Sequence, residues 1–292
     1  MPSLNERDRG FFTFAQNTNS TDYVRLAYGL ALSLKHSQTT VPYLTIGITP
    51  GSTVDPKYAW AFDNIIEIPW GDAAEDSDWK LENEWKVAWM SPYQETIKLD
   101  CDMLFPTDIS SWWHSLSTRN QDIIFANRVL DWKGSEVTSD YYRRAFTKNT
   151  LPNVYSAFVY FKKSTNSFTF FDFAKMIFWN WQHFFGEYLE HSSRPSYPST
   201  DVIYALALKF LDVDQKHNLP RVYPNFVHMK TQLQGWRDVK GENWTEYLPV
   251  FFTEEARIKL GNHIQTSPVH YHVKEFLTDD MLSIYERLVK NV

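Results

Sequence analysis

Thr96-Ile97-Lys98-Leu99-Asp100-Cys101-Asp102-Met103-Leu104-Phe105-Pro106 is the stretch around which the rest of the chain is ordered. Apolar and β-prone residues run into two carboxylates spaced i, i+2; apolar residues follow at once, and a proline stops the element. In an extended chain this spacing predicts Asp100 and Asp102 on one side, with Cys101 turned the opposite way into the core. Two anions held together beside apolar surface repel each other and lose hydration, so a cation between them, or protonation of one, is expected. A divalent metal is the natural partner, and oxygen ligands suit Mg²⁺ or Mn²⁺ better than zinc. The competing reading is a polar strand end whose carboxylates cap the next turn.

Outward from this stretch, strand and helix signals alternate. Upstream, residues 11–16, 41–48 and 65–69 read as strands. A polar turn at 17–22 leads into a helix with Ser20 or Thr21 as N-cap and Leu26, Leu30 and Leu34 along one face. A brief helix is predicted over 56–62, an acidic loop too polar for burial over 71–78, and a helix over 81–89. Downstream, 110–116 reads as helix, 122–126 and 154–161 as strands, and 127–150 as polar, basic and irregular. Residues 167–190 are so rich in Phe, Trp and Tyr that one long buried helix is expected. Another helix opens near Asp201, capped by Ser199 or Thr200, with Asp201 as a favourable first-turn anion, and an amphipathic helix covers 283–289. No internal repeat or low-complexity stretch is present.

Composition bounds the function classes. The 292 residues suffice for one large α/β domain with a sizeable core. Net charge is −6, which argues against a dedicated polyanion binder, although residues 119–163 carry eight basic and four acidic side chains. That basic segment could face a nucleotide diphosphate or an acidic acceptor, or be a solvated face. Aromatic residues make up 17%, including 12 Trp; they fill cores, and they also stack on sugars and bases. Cys101 is the only cysteine, so there is no disulfide framework. With no signal peptide or membrane-length apolar run, a cytoplasmic, membrane-free protein is expected.

The run Leu99-Asp100-Cys101-Asp102-Met103-Leu104, closing an apolar strand after a series of β-α units, resembles the metal-binding D-x-D of GT-A glycosyltransferases. The resemblance is to the branch that includes glycogenin and the bacterial galactosyltransferases of lipooligosaccharide synthesis. It implies an α/β fold: a single GT-A domain over 1–292, with a central mixed, mainly parallel sheet flanked by helices. Residues 11–104 would be the nucleotide-binding half, 105–275 the acceptor and donor-sugar half, and 276–292 a helical C-terminal extension.

The resemblance also implies a metal-dependent enzyme moving a sugar from a nucleotide-diphosphate sugar, a UDP-sugar first, to an acceptor. Asp100, Asp102 and a late His would hold Mn²⁺ or Mg²⁺. His270-Tyr271 matches the opening of the family's late His motif, without its glycine and Pro-Trp, and His228 is the alternative. Lys274 or Lys230 would contact the diphosphate, and Ala15, Gln16, Asn17 and Tyr23 the base and ribose. An ordinary capped β-α turn accounts for those four residues equally well. Lys86 would contact the nucleotide sugar or else face solvent. Ser156 keeps the serine of the family's Asn-Ser-Gly-Val, flanked here by Tyr155 and Ala157, and Asp201 matches the Asp of its Asp-Gln, followed here by Val202. Both would flank the donor sugar, and a full match would imply retention of anomeric configuration. The acceptor is a glycan, a protein or a nucleic acid. Two other readings stay open: a phage-type DNA or modified-base transferase, and a carbohydrate-binding protein without turnover.

Overall fold

Phe11 and Phe12 are adjacent in the chain, both fully buried, and pack into different cores. That is the behaviour of a strand covered on both faces. The computed structural model describes residues 7–40, 43–75, 80–137, 143–213, 224–234, 236 and 241–290. Parts of the expected second strand, acidic loop and basic segment lie outside these residues.

In chain order the elements are β1 (Arg9–Phe14), α1 (Tyr23–Ser37), β2 (Leu44–Ile48), α2 (Pro56–Ala59), β3 (Asn64–Glu67), α3 (Val87–Met90), β4 (Glu95–Leu99), β5 (Met103–Leu104), α4 (Ser110–Ser117), β6 (Ile123–Ala126), α5 (Arg144–Lys148), β7 (Tyr155–Lys162), α6 (Thr165–Trp179), α7 (Trp181–Tyr188), α8 (Thr200–Phe210), β8 (Val227–His228), β9 (Val250–Phe252), β10 (Ile258–Leu260), β11 (His263–Ile264), β12 (Val269–His270) and α9 (Asp279–Lys290). Six strands form the central sheet in the order β3-β2-β1-β4-β7-β6. The first four are mutually parallel, β7 runs antiparallel to β4, and β6 antiparallel to β7. The sheet is therefore mixed and mainly parallel, and it draws strands from both expected halves of the chain.

Period-two alternation sorts the side chains. Phe11, Ile46, Ile97, Leu99, Phe158 and Tyr160 join the core beneath α1, α4 and α9. Phe12, Val159 and Phe161 join the core formed with α6 and α8. The C-terminal helix is tied down on α1: Arg25 Nη2 lies 2.6 Å from Asp279 Oδ1, and Tyr28 donates to Glu286 at 2.8 Å. A Cβ on Gly29 would meet the Leu277 side chain at 2.6 Å, so glycine there lets this segment approach α1 closely with Leu277 in its present rotamer.

Several local expectations are corrected. Asp22, not Ser20 or Thr21, caps α1, its carboxylate accepting from Arg25 N at 3.0 Å, while Thr18 takes the Thr21 amide. The segment 81–89 is a 3₁₀ stretch, Lys80–Lys86, followed by one turn of α-helix. Residues 167–190 break into α6 and α7 at Asn180, whose φ of −114° leaves the helical region; Trp179 and Tyr188 are exposed. Asp72 in the acidic loop is half-buried and bonded to Gln16 and Asn83, which meets its hydrogen-bonding needs. The basic segment contains α5, and Ser199 sits at the cap of α8 without a side-chain cap bond.

Candidate active site

The site is assembled by a second, very small sheet, β5-β12-β8. β4 ends at Leu99, and Asp100-Cys101-Asp102 forms a turn before β5 rather than continuing as extended strand. β12 pairs antiparallel with β5, setting His270 opposite Met103, and parallel with β8, setting His270 opposite His228. The Tyr271 amide donates to the Asp102 carbonyl at 3.1 Å. A histidine 168 positions away is thereby fixed beside the acidic turn: His270 Nε2 lies 3.1 Å from Asp102 Oδ1 and 3.8 Å from Asp100 Oδ2.

Each carboxylate also has an ammonium partner, a balance the repulsion argument did not anticipate. Asp102 is bonded by Lys274. Burial pushes its pKa up, but the positive charge offered by His270 and Lys274 outweighs that and holds it well below the usual carboxylate range. Asp100 is bonded by Lys98 at 2.9 Å, and Lys98 also reaches Glu84 Oε1 at 2.8 Å and the Ser156 carbonyl at 3.2 Å. Lys98 and Asp100 share a side because they stand two apart at the strand end. Burial opposes the charge on Lys98, yet the two carboxylates raise its pKa above the ordinary lysine value. Glu84 is pushed up to about 7, chiefly by burial. Cys101 is buried, as expected.

Asp201, in the first turn of α8, accepts from the Ser156 amide and from Arg143 Nη1, each at 2.8 Å. Burial raises its pKa, but Arg143 and the amide lower it more, so it is ionised at neutral pH. Arg143 also donates to Asn153 and Val154 O and lies over the Phe146 and Tyr155 rings, so this residue of the basic segment is used internally. Lys162 is likewise used on Ser117 O and Arg119 O.

One cleft at the carboxyl ends of β1 and β4 is lined by Gln16, Tyr23, Glu84, Lys98, Asp100, Asp102, Ser156, Asp201, His228, Lys230, His270, His272 and Lys274, among others. These residues come from widely separated parts of the chain, and the ends of parallel strands are where open α/β sheets bind ligands. Ala15, Asn17 and Lys86 are not among the lining residues. Ala15 is buried, Asn17 accepts from the Val24 amide to hold the turn, and Lys86 is buried with its ammonium on Gly71 O at 2.6 Å, neither solvent-facing nor in the cleft. The rings of His228 and His270 stack at 4.6 Å, and burial pushes the His228 pKa well down. Tyr23 lies 5.6 Å below the Lys274 ammonium.

Glu84, Lys98, Arg143 and His272 were not singled out by sequence reasoning. Lys98 had a signal, its i, i+2 relation to Asp100; Glu84 and Arg143 had none. For a divalent ion the donor set fits: Asp102, His270 and His272 each offer a ligand atom, all within 4.8 Å of one another. Carboxylate oxygen with imidazole nitrogen suits Mn²⁺ and its neighbours.

No protein-family model matches the chain, and no curated protein matches it. Among solved structures it is similar to mouse xyloside xylosyltransferase 1 in its apo form, at 10% identity over 82% of this chain and 90% of that one, TM-score 0.44. It is similar to the glycosyltransferase GlyE of Streptococcus pneumoniae TIGR4, at 10% identity over 72% of this chain, TM-score 0.40; in two GlyE structures the match spans 44% and 60% of that protein. It is also similar to the galactosyltransferase LgtC in complex with donor and acceptor sugar analogues, at 9% identity, 97% of this chain and 96% of that one, TM-score 0.51. That likeness runs over nearly the whole of both chains and agrees with the six-stranded mixed sheet: the chain has the GT-A glycosyltransferase fold.

Proposed function

We propose that this protein is a metal-dependent glycosyltransferase that moves a sugar from a nucleotide-diphosphate sugar, a UDP-sugar first, to a glycan acceptor. The observation that carries the reading is the convergence of Asp102, His270, Lys274 and Asp201 on one cleft of a GT-A fold. Asp102 and His270, with Asp100 beside them, would hold Mn²⁺ or Mg²⁺, which when bound supplies Lewis-acid neutralisation of the departing diphosphate. Lys274 and Lys230 bring ammonium groups to the same region, so phosphate recognition needs no glycine-rich loop. Gln16 and Tyr23 line the side expected to receive base and ribose. Ser156 and Asp201 flank the donor sugar, with Asp201 held ionised by Arg143 and the Ser156 amide, which fixes its rotamer before substrate arrives.

Two of the eight basic residues of 119–163, Arg143 and Lys162, are used in internal bonds, which leaves less of that segment for a nucleic-acid acceptor. The test measures Mn²⁺-dependent UDP binding and nucleotide-sugar hydrolysis in wild type and Asp102→Asn. Loss of both in the variant is expected. Equal binding and turnover in the two proteins overturns the reading, and EDTA-insensitive glycan binding without nucleotide affinity replaces it with a carbohydrate-binding protein.

A further inference from the structure

His272 stands in a conformation that its side chain does not favour. Its φ is +59°, in the left-handed region that residues with a side chain adopt at an energetic cost. Such strain persists where the surroundings hold it in place. Here the imidazole is half-buried in the cleft, and its Nε2 lies 3.2 Å from Glu242 Oε2. Among the described residues, His272 belongs to the group whose ligand atoms all lie within 4.8 Å of one another, with Asp102 and His270. Asp100 lies outside that group, with its Oδ2 3.8 Å from His270 Nε2.

We infer that His272 is a metal ligand: the ion is held by Asp102, His270 and His272, with Glu242 positioning the His272 ring and Asp100 acting as an outer partner. Two imidazoles and one carboxylate are a softer donor set than a pair of carboxylates. They favour Mn²⁺ and the later first-row ions over Mg²⁺, which takes hard oxygen ligands and keeps its waters. A carboxylate bonded to a ligating imidazole fixes the ring and raises its basicity, the arrangement that Glu242 supplies. The inference rests on the transferase reading for the purpose of the ion, and on the geometry alone for the ligands.

Glycine suits a φ of +59°, so His272→Gly removes the imidazole without straining the fold. The experiment follows Mn²⁺ by electron paramagnetic resonance, with spin-echo modulation to count bound imidazole nitrogens, alone and with UDP. Wild type is expected to show two imidazoles and to prefer Mn²⁺ to Mg²⁺ in competition. His272→Gly is expected to show one, to bind Mn²⁺ at least about tenfold more weakly, and to unfold in EDTA no earlier than wild type. Glu242→Gln is expected to keep both nitrogens and lose less affinity. Equal affinity and nitrogen count in wild type and His272→Gly overturns the inference and leaves the transferase reading intact. Absence of Mn²⁺ binding by wild type, with or without UDP, also overturns it, and the transferase reading is then decided separately by nucleotide-sugar turnover in EDTA.

Discussion

Replacing Lys98 by Met keeps the length of the side chain and deletes the one ammonium shared by Glu84, Asp100 and the Ser156 carbonyl. Lys98 and Glu84 are 2% and 5% exposed, so water replaces little of what is lost, whereas Asp100 at 27% recovers part of its hydration. Removing one partner of a buried ion pair costs about 3–5 kcal/mol, because the other charge is stranded. Glu84 can escape by taking a proton, which costs about 1.4 kcal/mol for each pH unit above its ordinary value. From that ordinary value of 4.5, the escape costs about 5 kcal/mol near pH 8 and less than about 1 kcal/mol near pH 5.

The sign of the pH dependence follows. In the wild type Glu84 is already raised to about 7, so its folded state takes protons more readily than the unfolded chain. Its favourable contribution is complete below about 4.5 and is lost as pH rises through about 7. Without Lys98 that loss continues to higher pH. Urea or thermal unfolding at the two pH values is the assay. Lys98→Met is expected to lose about 3–5 kcal/mol near pH 8, equivalent to about 6–20 °C, and much less near pH 5. Lys98→Met/Glu84→Gln, which removes the stranded carboxylate, is expected to be more stable near pH 8 than the single variant. A loss below about 1 kcal/mol near pH 8, or one of equal size at both pH values, refutes the reasoning.

Two further predictions concern the surroundings of the cleft. Arg143→Met leaves Asp201 with the Ser156 amide alone and deletes the bonds to Asn153 and Val154 O, so the fold should lose about 3–5 kcal/mol in urea unfolding and transfer activity should fall even where the protein is fully folded; unchanged activity would separate Asp201 from the reaction. Lys86→Met exchanges a buried ammonium with a carbonyl partner for an apolar chain of similar length, and burial already lowers its pKa. Stability should change by no more than about 1.5 kcal/mol with nucleotide-sugar turnover unaffected, and a selective rise in KM would return Lys86 to the donor site.

The alternation of strand and helix signals, the polar turn after the first strand and the Leu26, Leu30, Leu34 stripe are local patterns, and local patterns suffice to place a parallel α/β core. Their exact ends were less accessible, because competing caps such as Thr18, Ser20, Thr21 and Asp22 offer similar oxygens and only the settled backbone selects Asp22. Asp100 and Asp102 could be named from type and spacing, and His270, Lys274 and Asp201 from the resemblance to glycosyltransferase motifs. Their meeting could not: it depends on β5, β8 and β12, strands of two residues each, too short to leave a periodicity. The charge balance was decided at the same level. Apart from Lys98, which stands two residues from Asp100, the cations that meet these acids, Lys274 at Asp102 and Arg143 at Asp201, reach them through space, where Coulomb energy depends on distance and burial rather than on position along the chain.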